Sequence, residues 1–140
     1  MVPRAATVRL TTVSLVMPRL AGQIDAVFLD EDWRIALVDW KRSALLRTDS
    51  RGSMRYPLDH LPDSNYWHYA LQLNVYRMIL ESEYCLTVSR LFLAVVHPEC
   101  APRLIELPLL DAEMRVLHCS EIEQGRAAVS APGLDARFAV

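Results

Sequence analysis

Residues 89–96, SRLFLAVV, carry no polar side chain after Arg90. The run is far shorter than the ~20 apolar residues that a bilayer-spanning helix needs. A strand without polar alternation is stable only where both of its faces are covered. The chain is therefore expected to build a central sheet, with the remaining segments packed around this strand.

Those segments are readable in order. Residues 6–16 are rich in β-branched side chains and read as a strand that Met17-Pro18-Arg19 interrupts. Residues 21–29 and 34–41 read as two more strands, joined by a turn at Asp30-Glu31-Asp32. Short connections make these three an antiparallel meander. Residues 42–63 hold Gly52, Pro57 and Pro62 with little periodicity and read as a long loop, a feature that in compact domains is usually functional or disordered. Asp63 or Ser64 suits the N-cap of a helix over 64–83. Residues 103–108 read as a short strand after the turn at His97-Pro98-Glu99, and 109–128 as a second helix; residues 130–140, with Pro132 and Gly133, read as irregular. The order βββαββα gives an α/β (α+β) fold: a central mixed sheet beginning with an antiparallel meander and flanked by helices. The 140 residues fit a single domain, on its own or within a longer chain.

Composition narrows the function classes. The opening Met1-Val2-Pro3-Arg4 lacks the pattern of a secretory signal, so a soluble intracellular protein without a membrane role is expected. Cys85, Cys100 and Cys119 are scattered with no CxxC pair, and read as small buried apolar residues rather than a zinc knuckle or disulfide framework. No GxxxxGK[ST] loop is present, so no nucleotide cofactor is expected. The formal charge is −2, which argues against a generally basic nucleic-acid coat. The charge is nevertheless uneven. Arg4, Arg9 and Arg19 precede any acidic residue, and Lys41, Arg42, Arg47, Arg51 and Arg55 face only Asp49 in residues 41–55. A local basic strip attracts phosphates even on a mildly acidic chain. Lys41 is the sole lysine, so that position has reason to need a compact ammonium rather than a guanidinium.

The chemistry concentrates in the hairpin 21–41. A turn centred on Asp32 sets Asp25 opposite Asp39, and opposed residues of an antiparallel pair have Cβ atoms ~5 Å apart. Two carboxylates that close repel unless a cation lies between them, and a hard divalent ion suits oxygen ligands. Lys41, two residues beyond Asp39, shares its face of the strand; Trp40 should turn the other way, toward the core. An ordinary surface ion pair is the plainer account of Asp39 and Lys41. The buried-looking run Ile35-Ala36-Leu37-Val38 before them speaks against it, because charges at the end of a buried strand are costly unless they have a task.

Three motifs stand in order: Gly22-Gln23-Ile24-Asp25, Val38-Asp39-Trp40-Lys41 and Gln72-Leu73-Asn74-Val75-Tyr76. Together they resemble the GxxD, (D/E)xK and QxxxY motifs of RecB-like PD-(D/E)XK nucleases, over roughly residues 20–97. The resemblance implies a restriction-endonuclease-like core that hydrolyses DNA phosphodiester bonds with Mg²⁺ or Mn²⁺. It implies Asp25 and Asp39 as metal ligands, joined by the Trp40 backbone carbonyl, with Lys41 as the catalytic lysine. Gln72 is implied to approach the metal site, and Tyr76 to contact DNA or pack. Relatives carry a further Glu or His on a helix ahead of the first core strand; this chain has neither before Asp25. Three cysteines cannot hold the iron–sulfur cluster of some relatives, so none is expected.

Arg42, Arg47, Arg51 and Arg55 are candidates to grip the DNA backbone, and His68, one helical turn before Gln72, could reach a phosphate. Tyr66, Trp67 and Tyr69 read as core or interface residues, with stacking on unpaired bases as the alternative. The expected partner is single- or double-stranded DNA, within a homo-oligomer or a larger helicase-nuclease or recombination assembly. A catalytically inactive module of the same fold, binding nucleic acid or a protein, is the competing expectation; a purely structural or assembly protein is a third.

Overall fold

The computed structural model describes residues 8–9, 13–17, 20–29, 32 and 34–123. The elements are β1 (Val8–Arg9), β2 (Val13–Met17), β3 (Leu20–Ile24), β4 (Ala26–Leu29), β5 (Ile35–Lys41), α1 (Asn65–Tyr84), β6 (Val88–His97), β7 (Cys100–Leu107) and α2 (Asp111–Glu123). Five strands form a mixed sheet in the order β1-β4-β5-β6-β7. The β5–β6 pair is parallel, and the others are antiparallel. A parallel pair needs a long crossover, and the loop 42–63 followed by α1 provides it.

The expected architecture of a central mixed sheet with helices is present. The meander is not continuous, however. The segment read as one strand over 21–29 bends at Asp25. Its first half, β3, pairs with β2 in a separate two-stranded sheet, and its second half, β4, pairs with β5. The segment 6–16 is divided in the same way between β1 and β2. A chain whose consecutive residues must satisfy two sheets has to turn between them, and period-2 patterning does not reveal which neighbour each half takes. The second helix is described to Glu123; residues 124–128, the tail 130–140 and the side chains of Arg4, Arg9 and Arg19 lie outside the described residues.

The strand alternation sorts β5 between two apolar clusters. Ile35 and Leu37 join Leu91, Leu93 and Val95 of β6 against Ala70, Leu71, Leu73 and Ile79 of α1, and Leu110 and Met114 extend this cluster toward α2. Ala36 and Val38 face the opposite way, with Ala26, Phe28, Phe92 and Ala94. The β6 strand is thus buried on both faces from Leu91 to Val95, as its composition requires. Fully burying a leucine side chain contributes ~1.5–3 kcal/mol, so Leu37, Leu91 and Leu93 anchor the β5–β6 pair.

Two expectations fail here. Trp40, expected in the core, is 51% exposed. It follows Ala36 and Val38 on the second face, beyond the end of the small cluster formed by the described residues. The cysteines expected inside, Cys85, Cys100 and Cys119, are all exposed. Cys85 takes the left-handed position (φ 53°) that ends α1, and Cys100 opens the edge strand β7. Both places are set by chain reversal rather than hydrophobicity. The loop 42–63 is a packed segment: Leu58 and Leu61 are buried, and His60 Nε2 lies 2.8 Å from Glu113 Oε1 of α2. No helix of the described residues is long and apolar enough to cross a membrane.

Candidate active site

The β4–β5 register sets Ala26 opposite Val38, Val27 opposite Leu37 and Leu29 opposite Ile35. Continued by one residue, this pairing aims Asp25 at Asp39, as the turn at Asp32 required. Asp25 lies at the bend, just outside the ladder. There its Oδ2 accepts the backbone N–H of Trp40 at 3.0 Å. The bond ties the bend to the end of β5 and fixes one carboxylate beside the other.

Asp39 is 5% exposed, on the strand face that α1 covers. Burial pushes its carboxyl above the ordinary carboxylate range; the Lys41 ammonium pulls it back, and the nearby Asp25 carboxylate raises it further. Lys41 Nζ stands 2.7 Å from Asp39 Oδ2. The ammonium is the close charge partner of this buried oxygen.

α1 closes the site from above. Lys41 Nζ donates to Gln72 Oε1 at 3.4 Å and lies 4.6 Å from the centroid of the Tyr69 ring. Gln72, itself 6% exposed, donates through Nε2 to Tyr76 Oη at 2.9 Å. Residues 69, 72 and 76 fall on one helix face because steps of three and four residues come close to one turn and seven close to two. Tyr76 is buried, and its ring packs against Gly22 so closely that a Cβ at position 22 would overlap it. Gly22 has no positive φ; it is glycine because of the ring and not because of its backbone.

The structure thus joins Asp25, Asp39, Lys41, Gln72 and Tyr76 in one network. The place of Tyr69 beside Lys41 and the steric role of Gly22 were not expected from the sequence, which offered Tyr69 only as a core, interface or base-stacking residue. The spacing of Tyr69 to Gln72 could have signalled the first; the second needs the contact between distant segments. The other candidates lie apart from this network. Arg42, Arg47, Arg51 and Arg55 are exposed on the loop 42–63. The His68 imidazole is engaged by Asp63, with Nε2 2.5 Å from Oδ1. Trp67 is half-buried and donates Nε1–H to the Thr48 carbonyl at 3.0 Å, and its ring meets Tyr66 edge-on at 5.1 Å. Among the described residues no group of three or more His, Cys, Asp or Glu side chains gathers as a metal cage.

No protein-family model matches this chain. No curated protein matches it either. A solved structure described as "Crystal structure of SSO0001" covers 90% of this chain at 17% identity, with a TM-score of 0.37. This chain spans 50% of that protein's length. A likeness of this degree transfers neither fold nor activity.

Proposed function

We propose that this chain is a divalent-metal-dependent nuclease that hydrolyses DNA phosphodiester bonds. The observation that carries the reading is Asp39: a buried carboxylate set beside a second carboxylate, an ammonium and a glutamine. Burying such a cluster costs stability, and a fold keeps it where the charges have work to do.

The donor set fits a hard cation. Asp25 and Asp39 supply carboxylate oxygens, and Mg²⁺ commonly takes one or two carboxylates, with water and substrate phosphates completing its shell. The backbone carbonyl of Trp40 would be a further ligand. Such an ion supplies charge neutralisation at the scissile phosphate and a more acidic water. The chain's own residues do the rest. Lys41 carries a positive charge to the phosphoryl oxygens, where charge grows as the bond is made. Gln72 and the Tyr69 ring hold that ammonium from the helix side, so it reaches the site in one position. Tyr76 fixes the Gln72 amide and thereby its carbonyl direction.

The test is cleavage of labelled single- and double-stranded DNA with Mg²⁺ or Mn²⁺, comparing the parent with Asp39→Ala and Lys41→Ala. Losing one such group typically costs on the order of 10²-fold or more in rate. Variants that cut as well as the parent would overturn the assignment. A parent that binds DNA and cuts none of the panel with either metal would make the chain a binding module.

A further inference from the structure

We propose that the start of α1 and the arginine loop before it form a phosphate-binding pocket that anchors the DNA strand away from the cutting site. The proposal rests on the nuclease reading for the identity of its ligand, but the pocket stands on its own observations. It has a volume of about 880 Å³ and is walled by Leu45, Arg47, Asp49, Arg51, Ser64 and Asn65.

Four features point to an anion. The pocket lies at the positive end of a 20-residue helix with no acidic residue in its first turn. Arg47 and Arg51 bring two guanidinium groups, each able to grip a phosphate with two parallel bonds. The Arg47 backbone is pinned to the helix start, its N–H donating to Asn65 Oδ1 at 2.8 Å and its carbonyl accepting Tyr66 N–H at 3.2 Å. The loop therefore presents this arginine from a fixed base. The fourth feature is Ser64. It occupies the N-cap position, where a serine hydroxyl normally accepts a helix N–H, yet it makes no cap bond. Ser64 is 6% exposed, and its Oγ has no hydrogen-bond partner. Ser64 is one of the residues lining the pocket, so this unpartnered hydroxyl belongs to its wall.

Asp49 and Asp63 both share the wall and oppose an anion; Asp63 is paired with His68, whereas Asp49 faces the pocket among the arginines. Removing the Asp49 charge should therefore strengthen binding. Eight residues separate Ser64 from Gln72, about 12 Å along the helix. A phosphate held at the pocket lies a few nucleotides from a phosphate at Asp39.

The test is binding of an internally labelled 12-nucleotide single-stranded DNA, read by fluorescence anisotropy in EDTA so that nothing is cut. Arg47→Ala/Arg51→Ala should weaken binding by about tenfold or more, and Ser64→Ala by about threefold. Asp49→Asn should tighten it. Arg42→Ala/Arg55→Ala removes the same charge from outside the pocket and should cost clearly less. Oligonucleotides with a 5′-phosphate, a 3′-phosphate or neither identify the source. Tighter binding of one phosphorylated end marks an end anchor, and equal binding marks an internal phosphodiester.

The pocket is wrong if both arginine pairs cost the same, or if Arg47→Ala/Arg51→Ala and Ser64→Ala bind within twofold of the parent. If that happens while the parent cuts DNA, the nuclease reading survives alone. A parent that never cuts, but binds with this pattern, leaves the pocket standing without the nuclease.

Discussion

At the residue scale, the site is governed by one buried acid. Burial sets the folded pKa of Asp39 above its ordinary value of 3.8, so folding favours the protonated form. That stabilisation is fully present below the ordinary value and is lost as pH rises through the raised one. The metal-free parent should thus lose stability relative to Asp39→Asn across that window in urea denaturation. At pH 7 the variant should be the more stable of the two. On the proposed metal-dependent reading, Mn²⁺ should raise the thermal stability of the parent and not that of the variant. A variant less stable than the parent at pH 7 would mean that the Lys41 pairing outweighs the burial of the charge.

At the scale of elements, a buried amide joins α1 to α2. Asn74 is fully buried. Its Oδ1 accepts Leu110 N–H at 2.8 Å, and its Nδ2 donates to the carbonyls of Pro108 at 3.0 Å and Ala70 at 2.8 Å. One side chain mid-helix therefore satisfies the backbone just before α2 starts at Asp111. Asn74→Ala would strand that N–H and carbonyl and open a small void, destabilising the fold by about 3 kcal/mol in denaturant titration. Loss of less than about 1 kcal/mol would show that water replaces the amide. The sequence does not mark this role, because a polar residue at a core period gives no sign of which backbone it serves.

At the scale of the whole molecule, two sheets meet one helix, and Gly22 lies at the join. It belongs to β3 of the small sheet and receives the ring of Tyr76 from α1. Gly22→Ala forces the ring aside, and with it the Tyr76 hydroxyl on which the Gln72 amide depends. Overpacking of this kind costs ~1–3 kcal/mol. On the proposed nuclease reading, cleavage should fall along with thermal stability, and the additional substitution Tyr76→Phe should not restore it, since the obstruction is the ring. Full activity in Gly22→Ala would show that β3 can move without disturbing α1.

Much of this was readable beforehand. The unbroken apolar run of β6 demanded a strand covered on both faces, and the helix from 64 emerged within a residue of Asn65–Tyr84. The polar turn at Asp32 fixed the register that aims Asp25 at Asp39, because period-2 pairing leaves no freedom once the turn is placed. Those are local properties, and sequence determines them by itself. The bend at Asp25, the exposure of Trp40, the seat of Tyr76 on Gly22 and the grip of Tyr69 and Gln72 on Lys41 depend on which distant segments become neighbours. Only tertiary packing decided them, since contacts between residues far apart in the chain leave no periodic trace in either segment alone.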